Sequence, residues 1–313
     1  MASRLPSTPR IDTEALMRIQ DLELRARVVV EGFMRGLHRS PFHGFSVEFT
    51  EYRQYSQGDD PRYIDWRLYA RTDRDYVKKF EDETNLRLHI LLDRSRSMDY
   101  GSANYTKRDY AITAAATLAT FFHKQGDAVG LTTFDTEPRE IIPAKYQRRH
   151  MRQLLAAMER PASGLGTDLL APLKMATSLI KRRGMLLVLS DFLSDLEGLE
   201  KHLGSLAAFG HEIVLFQILD PAETTLDLTK AATYEDPESG KRLYIDPELA
   251  KSGYRERFEA HQSRLQDIAR RVGAPLSVTT SNHPLDKFLV DWTRGRAAVR
   301  HSARRAQRGG RAA

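Results

Sequence analysis

From residue 86 onward, short apolar runs alternate with segments whose apolar positions recur every three or four residues. Residues 86–92, 128–134, 185–189, 213–218 and 276–280 read as strands, and 185–189 is apolar on both faces. Residues 108–123, 151–158, 169–180, 196–208, 247–272 and 285–292 read as helices, and 140–142 as a short edge strand. Residues 229–234 and 242–245 form a hairpin pattern around Pro237-Glu238-Ser239-Gly240. Continuous apolar strands separated by helices signify an α/β fold: a doubly wound, mostly parallel sheet with helices on both faces. In a 3-2-1-4-5 strand order, the strands at 86–92 and 185–189 lie side by side at the switch point, where loops after strands gather and ligands sit.

The first 85 residues follow a different pattern. Leu16, Ile19, Leu22, Leu24, Val28, Val29 and Phe33 are spaced for one amphipathic helix over 11–35, with Asp12 or Thr13 as its cap. Gly32, Gly36, Pro41 and Gly44 then break the pattern, and Phe45, Val47 and Phe49 alternate as a half-exposed strand should. Residues 53–71 pack Arg53, Asp59, Asp60, Arg62, Asp65, Arg67 and Arg71 around a Gly-Asp-Asp-Pro turn. The leading reading is an ion-pair web fixing an irregular loop, with Arg53 and Arg71 as its structural arginines, and the alternative is a surface for a partner or ligand. The expected organisation is an N-terminal helix to residue 35, a small helix/strand subdomain over 36–84, the main domain over 85–295, and a tail over 296–313.

Composition narrows the class. A hydrophobic fraction of 41% and a charged fraction of 29% are ordinary for a globular protein. No run of about 18 apolar residues is present to span a membrane, and residues 1–10 lack the apolar stretch of a signal peptide, so a cytoplasmic protein is expected. The chain has no cysteine, which excludes thiolate metal sites and cysteine nucleophiles. Any metal must be held by oxygen or histidine. The net charge of +6 suggests nucleic acid, but seven of the 48 basic residues lie at or beyond Arg294; without them 41 basic residues face 42 acidic ones. The main body is near neutral and nucleic-acid binding is not expected of it; the basic tail is expected to be a solvated, disordered end, with polyanion binding as its lesser alternative.

Three segments carry oxygen donors that this topology would bring together: Asp93-x-Ser95-x-Ser97 after the first core strand, Gly164-Leu165-Gly166-Thr167-Asp168 before a helix, and Ser190-Asp191 ending the strand at 185–189. The i, i+2, i+4 spacing lets a curling loop aim alternate side chains at one point. Such a set suits a hard divalent cation, Mg²⁺ or Mn²⁺, which prefers oxygen ligands and an octahedral shell. With few protein carboxylates on the ion, a carboxylate from another protein can complete the shell. Singly, Asp93, Ser95 and Ser97 also suit helix capping, and Asp168 suits a helix N-terminus. Asp99, Asp135 and Ser190 are nearby candidates for outer positions.

This constellation resembles the metal-ion-dependent adhesion site of von Willebrand factor A-like domains, a Rossmann-like group, in which D-x-S-x-S is followed by a distal Thr and a distal Asp. The resemblance implies Asp93, Ser95, Ser97, Thr167 and Asp191 as the metal site, with Ser95, Ser97 and Thr167 as hydroxyl ligands and the two aspartates acting through water or orienting bonds. Upstream, Tyr52-Arg53-x-Tyr55, Gly58-Asp59-Asp60-x-Arg62-x-Ile64-Asp65-Trp66, Ala70-Arg71 and Val77-Lys78-x-Phe80-Glu81 are similar to the bacterial DUF58 family, domain of unknown function fifty-eight. That resemblance spans about residues 30–295. It implies a partnership with a MoxR-type AAA+ ATPase, its client protein, or both, in client maturation or remodelling.

Signals for catalysis are poor. G-x-x-x-x-G-K-[ST], G-x-S-x-G and H-E-x-x-H are absent, and Gly164-Leu165-Gly166 lacks the third glycine of a dinucleotide loop. His38, His43 and His89 read as packing or surface residues. The leading expectation is a non-enzymatic adaptor; the alternative is a Mg²⁺-dependent hydrolase of phosphate esters.

Overall fold

A computed structural model describes residues 11–38, 49–56, 66–72, 75–80, 86–161, 166–226, 232–235, 242–245 and 247–296. The chain divides into two compact units: Ser40–Asn85 forms one, and the remainder forms the other.

The larger unit is built on a six-stranded sheet. Its strands are β3 (Arg87–Asp93), β4 (Ala128–Phe134), β5 (Pro138–Lys145), β6 (Met185–Ser190), β7 (Glu212–Leu219) and β10 (Leu276–Thr280), in the order β10-β7-β6-β3-β4-β5. All neighbours are parallel except β5, which runs antiparallel to β4 at one edge. This is the 3-2-1-4-5 order with one strand added. β3 and β6 are neighbours in register, Leu92 opposite Leu189, so their carboxyl ends emerge side by side at the switch point.

Strand periodicity divides the core between the two faces. Leu91, Leu186, Val188, Ile213 and Leu215 pack with Leu173 of α6 (Leu170–Leu179), Leu199, Leu203 and Leu206 of α7 (Leu199–Ala208), and Leu265 and Ile268 of α9 (Pro247–Val272). Phe216, next along β7, points the other way and meets Phe288 and Trp292 edge-on, at ring separations of 4.9 and 5.3 Å, from the helix over 285–296. That helix is α10. The same face carries α4 (Lys107–Lys124), whose Tyr110 Oη donates to His283 O at 3.0 Å. Each fully buried Leu or Phe in these layers contributes about 1.5–3 kcal/mol. The alanine run of α4 is buried, and its small side chains let it pack among β3, β4, β6, β7 and the helices around it.

The N-terminal segment differs from the single helix expected over 11–35. It forms α1 (Thr13–Met17) and α2 (Leu22–His38), because Asp12 caps the first and Asp21 starts the second by accepting Leu24 N at 2.8 Å. Arg25 holds the break by donating to Ile19 O at 3.0 Å. Gly32 is no helix breaker: a Cβ there would meet Ile11 Cδ1 at 2.7 Å, so the glycine permits close packing. Phe33 packs edge-on against Phe121 of α4 at 4.9 Å.

In the smaller unit, β1 (Phe49–Gln54) pairs antiparallel with β2 (Tyr76–Phe80), and α3 (Trp66–Thr72) lies between them in sequence. Arg53 stands opposite Val77 in the ladder, and Arg71 is an exposed residue in the last turn of α3. Asp59, Asp60, Arg62 and Asp65 of the expected ion-pair web lie outside the described residues, as do the expected strand positions Phe45 and Val47. The hairpin of the larger unit consists of β8 (Ala232–Glu235) and β9 (Arg242–Ile245); its turn at 237–240 lies outside the described residues. So does the tail beyond 296. Arg296 itself, grouped above with the tail, is buried in α10 and forms a two-pronged ion pair with Glu212 at 2.5 and 2.8 Å.

Candidate metal site at the carboxyl edge of the sheet

β3 delivers Asp93 to the sheet edge fully buried. Its Oδ1 accepts Ser95 N at 2.9 Å and its Oδ2 accepts Ser190 Oγ at 2.5 Å. The chain then enters a single 3₁₀ turn, Arg96–Asp99, with Ser95 at its start. Ser95 makes no side-chain capping bond there; its Oγ lies 3.0 Å from Ser97 Oγ. The following helix, α4, is capped instead by Thr106 and Asp109, which bond reciprocally. Neither serine hydroxyl is therefore spent on a helix end.

β6 ends in Ser190 and is followed by Asp191, both buried. Ser190 Oγ accepts Phe192 N at 3.0 Å while donating to Asp93, so one hydroxyl ties the two strand ends together. Phe192 has a left-handed φ of 53°, a conformation that costs a non-glycine residue about 1–3 kcal/mol. Its buried ring and the bond from His261 Nε2 to its carbonyl, 2.6 Å, hold it there. Asp191 Oδ1 accepts Leu193 N at 3.1 Å, and Gln217 Nε2 donates to Asp191 O at 2.9 Å.

The other oxygen of Asp191 faces a cation. Lys107, the first residue of α4, is fully buried and donates to Asp191 Oδ2 at 2.8 Å and to Glu223 Oε1 at 2.5 Å. Burial alone would lower the ammonium's pKa, but the charges and bonds of Asp191 and Glu223 outweigh it and raise the value. Glu223 is fixed by the short helix α8 (Pro221–Thr225), where it bonds back to Asp220 N at 2.8 Å. Burial, reinforced by the charge of Asp191, pushes the Asp93 carboxyl up to about 7.

Thr167 is half-buried on the loop that precedes α6. The next residue ties this loop to the same edge: Asp168 N donates to Asp135 O at 2.9 Å, and Asp135 follows Phe134, the β4 partner of Asp93. Asp168 itself starts α6, its Oδ1 accepting Leu170 N at 2.7 Å. Asp135 is committed to Arg139, and Asp99 pairs with Arg108 at 2.7 Å. The structure thus joins Asp93, Ser95, Ser97 and Ser190 by hydrogen bonds, with Asp191 next to Ser190 in the chain, and brings the Thr167 loop to the same sheet edge. Gly164 and Leu165 lie outside the described residues.

Among the described residues, no three His, Asp or Glu side chains gather as a metal-holding group. The candidate donors are instead hydroxyls backed by two carboxylates whose oxygens are already engaged. The fit to a hard cation rests on the serine pair. Adjacent oxygens of an octahedral shell at about 2.0–2.1 Å from the ion stand about 2.8–3.0 Å apart, and the two Oγ atoms are separated by 3.0 Å. Lys107 and Glu223 were not among the residues singled out from sequence. Two capping patterns point to them: Thr106-x-x-Asp109 starts the helix one residue ahead of the expected 108, and Asp220-Pro221-x-Glu223 marks α8.

Fold and site together define a doubly wound α/β protein with a buried hydroxyl and carboxylate cluster at its switch point. The chain belongs to the family described as "Protein of unknown function DUF58", which matches residues 51–267. Uncharacterized proteins of Mycobacterium tuberculosis (strain H37Rv) and Mycobacterium bovis are each 30% identical to it over 270 residues, covering 85% of this chain and 84% of theirs. Among solved structures, the conserved hypothetical protein BatB from Bacteroides thetaiotaomicron shares 14% identity over 67% of this chain and 99% of its own, with a TM-score of 0.46. An aerotolerance-related membrane protein from Bacteroides fragilis shares 14% over 65% of this chain and 96% of its own, with a TM-score of 0.44. No helix among the described residues is long and apolar enough to cross a membrane.

Proposed function

We propose that this chain is a non-enzymatic, cytoplasmic protein-interaction adaptor that recognises an acidic side chain of a partner through a von Willebrand factor A-like, Mg²⁺-dependent adhesion site. Ser95, Ser97 and Thr167 would hold the ion, which Mn²⁺ can replace, and a bound ion would supply an open coordination position for an outside carboxylate. Asp93 and Asp191 serve as orienting groups, since each already spends both oxygens on neighbouring donors. The partner is a MoxR-type AAA+ ATPase or its client, a reading that rests on the family resemblance.

The observation that carries the proposal is the 3.0 Å separation of the Ser95 and Ser97 hydroxyls, neither of which caps a helix through its side chain. The test is co-purification of a MoxR-type ATPase with the full chain in Mg²⁺, in EDTA, and with Asp93→Ala or Ser95→Ala/Ser97→Ala. Capture that needs Mg²⁺ and both serines supports the adaptor. Phosphate-ester turnover by the purified chain, lost in the same variants, would replace it with a hydrolase.

A further inference from the structure

Beside the candidate metal site, a cavity of about 370 Å³ is lined by Arg25, Arg94, Arg108 and Arg160 together with Asp109 and Glu159. Two of the four guanidinium groups are neutralised by contact: Arg108 by Asp99 at 2.7 Å and Arg160 by Glu140. The other two are not. Arg94 is only 5% exposed, and among the described residues its guanidinium donates from Nη1 to the neutral carbonyl of Ala157 at 3.1 Å. Its Nε is buried with no hydrogen-bond partner among the described residues. Arg25, half-buried, donates to Ile19 O at 3.0 Å and Thr113 Oγ1 at 3.1 Å, again neutral acceptors. Neither has a carboxylate within 4 Å among the described residues; Asp99, Glu140 and Asp135 act on Arg94, and Asp109 and Glu159 on Arg25, through charge at longer range.

Burying a charge without its full complement of hydrogen bonds is costly. A guanidinium whose hydrogen bonds are incomplete suits an oxyanion, which its planar fork matches. The lining arginines reach the cavity from α2, the end of β3, α4 and the end of α5 (Arg148–Glu159), so they approach from several directions. A planar carboxylate engages one or two such groups, whereas a tetrahedral, doubly charged oxyanion engages more. The cavity is also larger than a bare ion, leaving space for an ester substituent.

We infer that this arginine-lined cavity is an anion site for phosphate or a small phosphate monoester, with Arg94 as its principal donor and Arg25 and Arg108 beside it. The site is separate from the serine pair and needs no metal. Loss of one charge-assisted bond lowers affinity about tenfold to a hundredfold.

Isothermal titration calorimetry of the full chain in EDTA, with inorganic phosphate, glycerol phosphate and acetate, tests the assignment. Saturable one-to-one phosphate binding is expected, at least tenfold weaker in Arg108→Gln and Arg94→Lys and unchanged in the distant, exposed Arg270→Gln. Tighter binding of inorganic phosphate would identify the free ion, and tighter binding of glycerol phosphate the ester. Arg108 is partly exposed, so its variant decides the matter should Arg94→Lys fail to fold. Absence of saturable binding, equal affinity for acetate, or wild-type affinity in Arg108→Gln would overturn the inference. Because EDTA removes divalent cations, these outcomes are independent of whether the serine pair holds Mg²⁺.

Discussion

The ammonium of Lys107 lies 2.8 Å from Asp191 Oδ2 with both side chains withdrawn from solvent, joining the start of α4 to the end of β6. Glu223 completes the group from a third element. Removing one partner of a buried ion pair leaves an uncompensated charge, which costs about 3–5 kcal/mol, whereas replacing the whole set with apolar groups can be nearly neutral. Lys107→Met should therefore destabilise the protein by about 3–5 kcal/mol in urea denaturation. Adding Asp191→Leu and Glu223→Leu to it should recover much of that loss. A Lys107→Met variant within about 0.5 kcal/mol of wild type would show that the group is not structurally coupled.

The serine pair should behave in the opposite way. The Ser95–Ser97 hydroxyl bond is a single neutral interaction, worth about 0.5–1.5 kcal/mol net. Ser97→Ala should therefore change stability little while sharply weakening Mn²⁺ binding followed by electron paramagnetic resonance. Equal Mn²⁺ affinity in Ser97→Ala and wild type would remove that hydroxyl from the ligand set.

The contrast between Lys107 and the serines also shows what a sequence exposes. The apolar strands at 86–92 and 185–189 and the oxygen-bearing residues after them are local patterns, and topology rules set the sheet order, so the pattern alone puts Asp93 and Asp191 at neighbouring strand ends. Lys107 has no local pattern of its own. It is 14 positions from Asp93 and 84 from Asp191, and its burial exists only once three distant segments meet. The N-terminal break is hidden for a related reason: apolar periodicity runs through residues 16–24, while the capping bond of Asp21 and the Arg25 bond to Ile19 O divide the helix there. Ser190 was visible as a neighbour of Asp191, but its bond to Asp93 depends on the parallel register of β3 and β6.

Thr106 tests how much the cap of α4 contributes to stability. Its hydroxyl accepts Asp109 N while Asp109 returns a bond to Thr106 N at 2.8 Å, immediately before Lys107. Loss of an N-cap of this type costs about 0.5–2 kcal/mol. Thr106→Ala should show a loss in that range by thermal denaturation, and Thr106→Ser should restore most of it. Failure of Thr106→Ser to restore stability would assign the effect to the lost methyl group.

His89 provides a pH signature remote from the serine pair. It lies on β3, half-buried beside Leu91, Leu131, Ile141 and Met175, and burial, with the nearby charges of His211 and Arg87, lowers its pKa from 6.5 to about 4. In the unfolded chain His89 takes up a proton as pH falls through 6.5; in the folded protein it does so only near 4. The unfolded state therefore binds more protons between these values, and the folded state loses stability as pH falls across that window. The full shift corresponds to roughly 3 kcal/mol at most. His89→Leu should remove this part of the pH dependence, so in urea denaturation the stability of the variant relative to wild type should rise as pH falls from 7 towards 4. The other titrating groups are common to both proteins, which leaves the difference to His89. A separation unchanged between pH 7 and pH 4 would mean that His89 protonates in the folded state as readily as in the unfolded chain.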